Sequence, residues 1–272
     1  ILSNVPKPGA PHRAFFCGCE APRSRRTLHA TPMKSLRSLL RFVLVVGLLP
    51  FVTAAEKKTP AKKAPNPSFA QITDVAGLPR VLLLGDSISI GYTLPTRARL
   101  AGKANVHRPA ENCSDSGKGV RTIDKWLGAG KWDVIHFNFG LHDVKYLDEK
   151  GALVSPEKGK QVASVAEYER NLRALVASLK QTGAKLIFAT TTPVPAGSAG
   201  RVEHSEIPYN VAAIRVMKEN GIAVDDLHAF VVARQDTIQL PKNVHFTNDG
   251  SAQLADAVVA SIVPLLPAAK AK

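Results

Sequence analysis

Residues 81–89 read Val81-Leu82-Leu83-Leu84-Gly85-Asp86-Ser87-Ile88-Ser89. The four apolar residues predict a strand that is buried on both faces, as strands of parallel sheets are. The strand ends at Gly85, and Ser87 follows at a point where a helix can begin. Ligands bind outside the carboxyl ends of such strands, and a helix N-terminus favours negative charge there. The stretch therefore predicts an α/β fold and makes Ser87 a candidate nucleophile. A Gly-Asp-Ser sequence is, however, more often a simple turn.

Three more apolar runs and a weaker segment at residues 105–108 predict strands, and helical patterns lie between them. We expect strands at residues 81–84, 105–108, 132–139, 185–190 and 222–227, and helices at residues 91–100, 122–127, 164–182, 209–220 and 248–266. This alternation predicts a three-layer α/β/α sandwich with a parallel, flavodoxin-like sheet of about five strands and right-handed crossovers. The polar excursion at residues 145–160 follows the third strand, and is either a rim or lid of the site or a disordered surface loop.

The N-terminal region has the pattern of a secretory signal peptide. A basic segment begins at Met33, an apolar run follows over residues 42–52, and small residues predict cleavage after Ala54 or Ala55. The run is short for a membrane span, although an uncleaved anchor is the alternative. We therefore expect export to the periplasm or the extracellular space, with no stable membrane span after cleavage.

The predicted signal peptide covers residues 33–54. The segments on either side of it are also assigned from composition. We expect residues 1–32, a Pro/Arg-rich stretch before Met33, to be an extension from a start site placed too far upstream. Residues 55–67 are a Lys/Ala/Pro-rich linker. The folded domain then covers residues 68–272.

The charge and the cysteines exclude several classes of function. The chain carries a net charge of +14, but residues 1–67 hold +10 of it and leave +4 for the domain. This weak excess forms no basic stripe, so we expect no nucleic-acid partner. Cys113 is alone in the domain and cannot form an internal disulfide. No ligand spacing predicts a metal site and no Gly-rich loop predicts a phosphate site, so we expect no cofactor. We also expect the protein to be a monomer.

Four polar segments lie where the predicted sheet would form its crevice. They are Ser87, the Gly117/Gly119 pair, residues 140–143 and His245. With these segments the chain resembles the SGNH (GDSL-type) hydrolase family over roughly residues 79–267. That family carries a Gly-Asp-Ser nucleophile, an oxyanion glycine, a Gly-x-Asn-Asp segment and a C-terminal Asp-x-x-His.

The resemblance implies a role for each segment. Ser87 would be the nucleophile, and its own N–H would be one oxyanion donor. Gly117, five residues after Asn112, would supply the second N–H, with Gly119 as the fallback. His245 would take the Ser87 proton and return it to the leaving alcohol. The possible supporting residues are Asp86, Asn112, Gly119, Gly140 and Asp143.

Two positions depart from the family pattern. His142 replaces the asparagine of the third segment; its ring N–H would be the third oxyanion donor, or it is only a structural hydrogen-bonding residue. Lys242 stands where the family has the aspartate that orients the histidine. Either a backbone carbonyl orients His245, or a carboxylate from Asp225, Asp226 or Asp249 does.

The resemblance implies an exported, metal-independent serine esterase that forms an acyl-serine intermediate. We expect a small-molecule or carbohydrate ester as its substrate, and an acetylated carbohydrate in particular. The alternatives are a lysophospholipase or thioesterase, and a weakly catalytic glycan-binding protein on the same fold. An apolar tunnel between residues 143–160 and 193–201 would favour long acyl chains, whereas an open polar groove would favour sugars; the polar, Gly-rich sequence of these loops favours sugars.

Overall fold

The computed structural model describes residues 65–267. The predicted upstream extension, the signal peptide and residues 55–64 of the linker lie outside the described residues. The assignments made for them therefore stay predictions. None of the helices within residues 65–267 is long and apolar enough to cross a bilayer.

The strands are β1 (Arg80–Leu84), β2 (Asn105–His107), β3 (Val134–Phe137), β4 (Tyr146–Leu147), β5 (Lys160–Gln161), β6 (Lys185–Ala189) and β7 (Ala223–Asp225). Five of them form a parallel sheet in the order β2-β1-β3-β6-β7, while β4 and β5 pair separately as an antiparallel hairpin. This is a doubly wound sheet with its topological switch between β1 and β3. It confirms the predicted fold class.

The helices are α1 (Ser87–Arg99), α2 (Ser116–Leu127), α3 (Val165–Gln181), α4 (Ile207–Glu219), α5 (Leu227–Val232), α6 (Gln235–Ile238) and α7 (Asn248–Ile262). Short 3₁₀ turns lie at Pro67–Phe69, Pro156–Lys158 and Val263–Leu265. Helix α1 packs against α7, and α2 packs against α3, which also contacts α4. Residues 81–84 of β1 are at most 1% exposed, because neighbouring strands and both helical layers cover them.

Two predicted helix starts need correction, and two helices were not predicted. Helices α1 and α2 begin earlier than residues 91 and 122, because Asp86 and Asp115 cap them at their N-termini. Helices α5 and α6 lie where the sequence predicted no helix. The earlier starts matter for function, because they place Ser87 and Gly117 in the first turn of a helix.

The excursion after β3 is an ordered rim. Its hairpin, β4–β5, lies against the loop that follows β6, where the Tyr146 N–H donates to the Gly200 carbonyl at 2.8 Å. Gly200 has a positive φ of 61°, and a Cβ there would come within 2.4 Å of Leu153. The close contact joins two loops that both follow the carboxyl ends of strands.

Candidate active site

Ser87 lies directly after the central strand β1. Asp86 caps α1, and its Oδ1 accepts a hydrogen bond from the Ile88 N–H at 2.9 Å. Ser87 is then the first residue of the helix, where backbone N–H groups have no intrahelical acceptor. Its side chain is half-buried, whereas Asp86 is buried beneath it. This turn places a hydroxyl and a helix N-terminus at the same point of the crevice.

The turn before α7 brings His245 to Ser87. The Ser87 Oγ lies 2.9 Å from the His245 Nε2, although 158 residues separate the two in sequence. The Leu240 N–H donates to the His245 carbonyl at 2.9 Å, and the Asn243 N–H donates to the Leu240 carbonyl at 3.2 Å. The imidazole is solvent-exposed. The predicted nucleophile and base are therefore in hydrogen-bond contact.

Asn243 sets the orientation of the His245 ring. Its Oδ1 lies 2.8 Å from the His245 Nδ1 and also accepts the His245 backbone N–H at 3.1 Å. Since a backbone N–H can only donate, the side-chain atom at this position must be the amide oxygen. That oxygen in turn requires a proton on Nδ1, so Nε2 faces Ser87 with a free lone pair. This is the tautomer that a general base needs.

Neither of the two orienting groups expected from the sequence occupies this place. Asp225 contacts the buried His136 at 2.9 Å, Asp226 caps α5, and Asp249 binds Gln253. Asn243 was missed, although an Asn side chain that accepts an N–H two residues later is a common local turn signal. Lys242, at the family's aspartate position, has a positive φ of 55° and lies beside Gly197.

His142 lies in the turn after β3 with its Nδ1 facing Lys145 and Ser114. The Lys145 Nζ and the Ser114 Oγ are each 3.1 Å from this nitrogen. An ammonium can only donate, so Nδ1 accepts and the ring proton lies on Nε2. Burial lowers the pKa of His142, an effect that Asp86 opposes and that Lys145 and Arg201 reinforce. His142 is therefore held as a neutral ring with an Nε2–H donor.

The loop before α2 contains the predicted glycines. The Asn112 Oδ1 accepts the Ser114 N–H at 2.8 Å, and Ser114 adopts a left-handed φ of 61°. Gly117 lies in the first turn of α2, where a Cβ on it would meet the side chains of Asp115, Arg121 and Asn171. The N–H of Gly119 donates within the helix to the Asp115 carbonyl at 3.0 Å, so the fallback prediction for Gly119 is wrong.

Residues 83–253 match the sequence profile of the GDSL-like lipase/acylhydrolase family. The chain belongs to this family. It is therefore an ester-hydrolysing enzyme. A comparison with curated proteins gave no significant match.

Solved structures of low sequence identity share the fold of this GDSL-like hydrolase. A lipase/acylhydrolase from Enterococcus faecalis has 18% identity and a TM-score of 0.57, covering 71% of this chain and 100% of its own. An acetylxylan esterase from Geobacillus stearothermophilus has 19% identity and a TM-score of 0.56, covering 68% of this chain and 94% of its own. The acetyl xylan esterase AlAXEase has 15% identity and a TM-score of 0.55, covering 67% of this chain and 99% of its own.

The remaining predicted residues of this GDSL-like hydrolase support the loops around the site. Gly140 has a positive φ of 152°, and a Cβ there would lie 2.0 Å from the Thr191 Oγ1, so the turn requires glycine. Both Asp143 oxygens accept the Ser116 N–H at 3.1 Å, which joins the turn after β3 to the start of α2. Burial raises the pKa of Asp143 to about 7. Gly119 packs on the core, since a Cβ there would lie 2.8 Å from the Phe139 ring.

Within residues 65–267, no three His, Cys, Asp or Glu side chains cluster as metal ligands would. The polar groups in contact are instead the Ser87 hydroxyl, the His245 imidazole and the Asn243 amide. Such a set can transfer protons and donate hydrogen bonds to a developing negative charge.

Proposed function

We propose that this enzyme is an exported serine esterase that cleaves small-acyl, and in particular acetyl, esters of carbohydrates through an acyl-serine intermediate. The observation that carries the proposal is the 2.9 Å contact between the Ser87 Oγ and the His245 Nε2. The orientation of the ring by Asn243 supports it, because Nε2 is left free to accept a proton. Export rests on the sequence of residues 33–54 alone.

The reaction follows from these groups. The Ser87 Oγ attacks the ester carbonyl carbon while its proton passes to the His245 Nε2, and the carbonyl electron pair moves onto oxygen. The tetrahedral intermediate then expels the alcohol, which takes the proton from His245. Water repeats the two steps on the acyl-serine, releasing the acid and restoring Ser87.

The negative oxygen of the intermediate needs donors on the side of the crevice formed by the loops after β1 and β3. We assign this role to the Ser87 N–H, at the start of α1, and to the His142 Nε2–H. Because the His142 Nδ1 accepts from Lys145, the ring proton lies on Nε2, where it makes no hydrogen bond within the described residues. The Gly117 N–H stays the third predicted donor. Asn243 completes a Ser-His-Asn triad, in which a neutral amide takes the place of the usual carboxylate.

Two observations support an acetylated carbohydrate as the substrate. Ser87 is only half-buried and His245 is exposed, so the reacting groups are accessible to a sugar attached to the acyl group. Two of the three structural relatives described above are acetyl xylan esterases, and they share the fold at low identity.

Hydrolysis of p-nitrophenyl acetate tests the chemistry. We expect turnover by the wild type and loss of it in Ser87→Ala, with Ser178→Ala on α3 as the matched control. Labelling of Ser87 by a serine-directed phosphonate should depend on His245. The absence of both turnover and labelling would replace the esterase proposal by a glycan-binding role.

Acyl length is the second test. Acetylated xylo-oligosaccharides and p-nitrophenyl acetate should be cleaved faster than p-nitrophenyl palmitate or palmitoyl-CoA. A preference for the long chains would instead identify a lysophospholipase or thioesterase.

A further inference from the structure

Two cationic side chains, Lys145 and Arg201, converge on the turn that carries His142. The Lys145 Nζ lies 3.1 Å from the His142 Nδ1, and the Arg201 Nε donates to the Leu141 carbonyl at 2.9 Å. The backbone holds the two chain segments together, because the Tyr146 N–H donates to the Gly200 carbonyl. Two positive charges from loops far apart in sequence therefore lie beside the proposed oxyanion donor.

Neither cation has an ion-pair partner among residues 65–267. Asp86, Asp115 and Asp143 act on Lys145 electrostatically, and Asp86 also acts on Arg201, but none of the three is in ion-pair contact with either cation. Asp143 accepts from Ser116, Asp115 caps α2 and Asp86 caps α1. Burial lowers the pKa of both cations, and Arg201 further lowers that of Lys145. Two partly desolvated like charges with no carboxylate in contact among residues 65–267 are unfavourable, and an anion between them would reduce that cost.

Both side chains retain donors for such an anion. Arg201 uses Nε on Leu141 and Nη1 on the Ala199 carbonyl at 3.2 Å, and its Nη2 makes no hydrogen bond within the described residues. One of the three protons on the Lys145 Nζ is used by His142. An oxyanion with two or more oxygens can accept from both side chains at once.

We propose that Lys145 and Arg201 form an anion subsite that binds a carboxylate or phosphate carried by the ester substrate. This inference rests on the proposed esterase function and narrows its substrate class to acidic esters, such as an acetylated uronic acid or an acetylated sugar phosphate. The subsite holds the charged group beside the His142 turn while the acyl group meets Ser87. Recognition then depends on a charge that a neutral sugar ester lacks.

The test compares three acetyl esters that differ only in charge: those of glucose, glucuronic acid and glucose 6-phosphate, acetylated at the same hydroxyl. We expect the wild type to prefer an anionic ester by at least about tenfold in kcat/KM, mainly through KM, since a hydrogen bond to a charged group contributes this much. The preferred anion distinguishes a carboxylate ligand from a phosphate. Added salt should reduce the preference.

Variants locate the subsite. Lys145→Gln and Arg201→Gln should each reduce the preference about tenfold, while Arg201→Lys, which keeps the charge, should retain part of it. Lys103→Gln, at an exposed cation before the amino end of the edge strand β2, is the matched control and should leave the preference unchanged. Equal use of neutral and anionic esters would overturn the proposal. So would variants that lower kcat equally on all three esters, because the cations would then act only through His142.

A binding measurement separates this inference from the proposed function. Calorimetry with Ser87→Ala should show binding of the preferred anionic ester and weaker binding of the glucose ester. Such binding without hydrolysis by the wild type would leave the subsite standing and refute the esterase. Hydrolysis by the wild type without preferential binding of the anionic ester would support the esterase and refute the anion subsite.

Discussion

Asn243 is the residue whose replacement tests the proposed triad most sharply. Asn243→Ala removes the 2.8 Å hydrogen bond to the His245 Nδ1. That ring becomes positively charged in the transition state, so the lost bond is one to a charged group, which contributes about 1.5–3 kcal/mol. At 1.36 kcal/mol per factor of ten, we expect kcat to fall about 10- to 150-fold with little change in KM.

Asn243→Asp keeps an acceptor for the His245 ring, so it distinguishes the loss of this orienting hydrogen bond from a general effect of changing the side chain. A carboxylate can accept the same two hydrogen bonds and adds a negative charge about 4 Å from the ring, worth about 1 kcal/mol at a water-exposed site. We expect kcat at or about fivefold above the wild-type value. The assay is steady-state hydrolysis of p-nitrophenyl acetate, together with thermal unfolding to show that each variant folds.

Lys242→Asp is the matched control, because it restores the family's residue at the neighbouring position. The side chain at 242 lies beside Gly197 and the role is already filled, so we expect no gain. Wild-type turnover in Asn243→Ala would refute the argument. A gain of more than tenfold in Lys242→Asp would refute it equally, by showing that the ring still lacks an orienting group.

Three further predictions concern the surrounding loops. His142→Asn keeps a neutral N–H donor and should hold kcat/KM on p-nitrophenyl acetate within about tenfold, whereas His142→Ala should lose about 100-fold; equal rates would remove His142 from the oxyanion site. Burial raises the pKa of Asp143 to about 7, above an unfolded value near 3.9. The protonated carboxyl therefore contributes to the free energy of unfolding at low pH, and this contribution is lost as the pH rises through about 7. The unfolding free energy of the wild type should therefore fall by about 2–3 kcal/mol relative to Asp143→Asn between pH 5 and 8, measured in urea; a pH-independent difference would contradict this. Gly119→Ala puts a methyl group 2.8 Å from the Phe139 ring and should destabilise by about 1–3 kcal/mol, more than Gly117→Ala in the same denaturation assay.

Most strand positions could be predicted because buried parallel strands leave continuous apolar runs. All five sheet strands lie within or next to the predicted ranges, and β3 and β7 are shorter than expected. The helix starts at Ser87 and Ser116 were missed, since the first turn of α1 alternates Ser and Ile as a strand would, and that of α2 is Ser-Gly-Lys-Gly. The N-cap residues Asp86 and Asp115 were the available signal.

The site was predictable only where one segment carries one group. Ser87 and His245 each have a recognisable sequence context, and their loops follow or precede elements that the pattern predicts. Asn243 was missed because it lies one residue after the position where the family motif has its aspartate, although an Asn two residues before His245 is itself a local turn signal. The contacts that bring Lys145 and Arg201 to the His142 turn could not be predicted from the sequence. They depend on the packing of two loops that are far apart in the chain.

The turn that holds His245 has a consequence for how such a site can be moved or lost. In a Ser-His-Asp triad on three separate segments, the base is assembled only when distant parts of the chain meet. Here the base and the oxygen that orients it lie two residues apart, on a turn closed by its own backbone hydrogen bonds. The base and the group that orients it are thus carried by six consecutive residues, 240–245. A change that displaces this turn as a unit alters the distance from the His245 ring to Ser87 and leaves the Asn243–His245 pair intact.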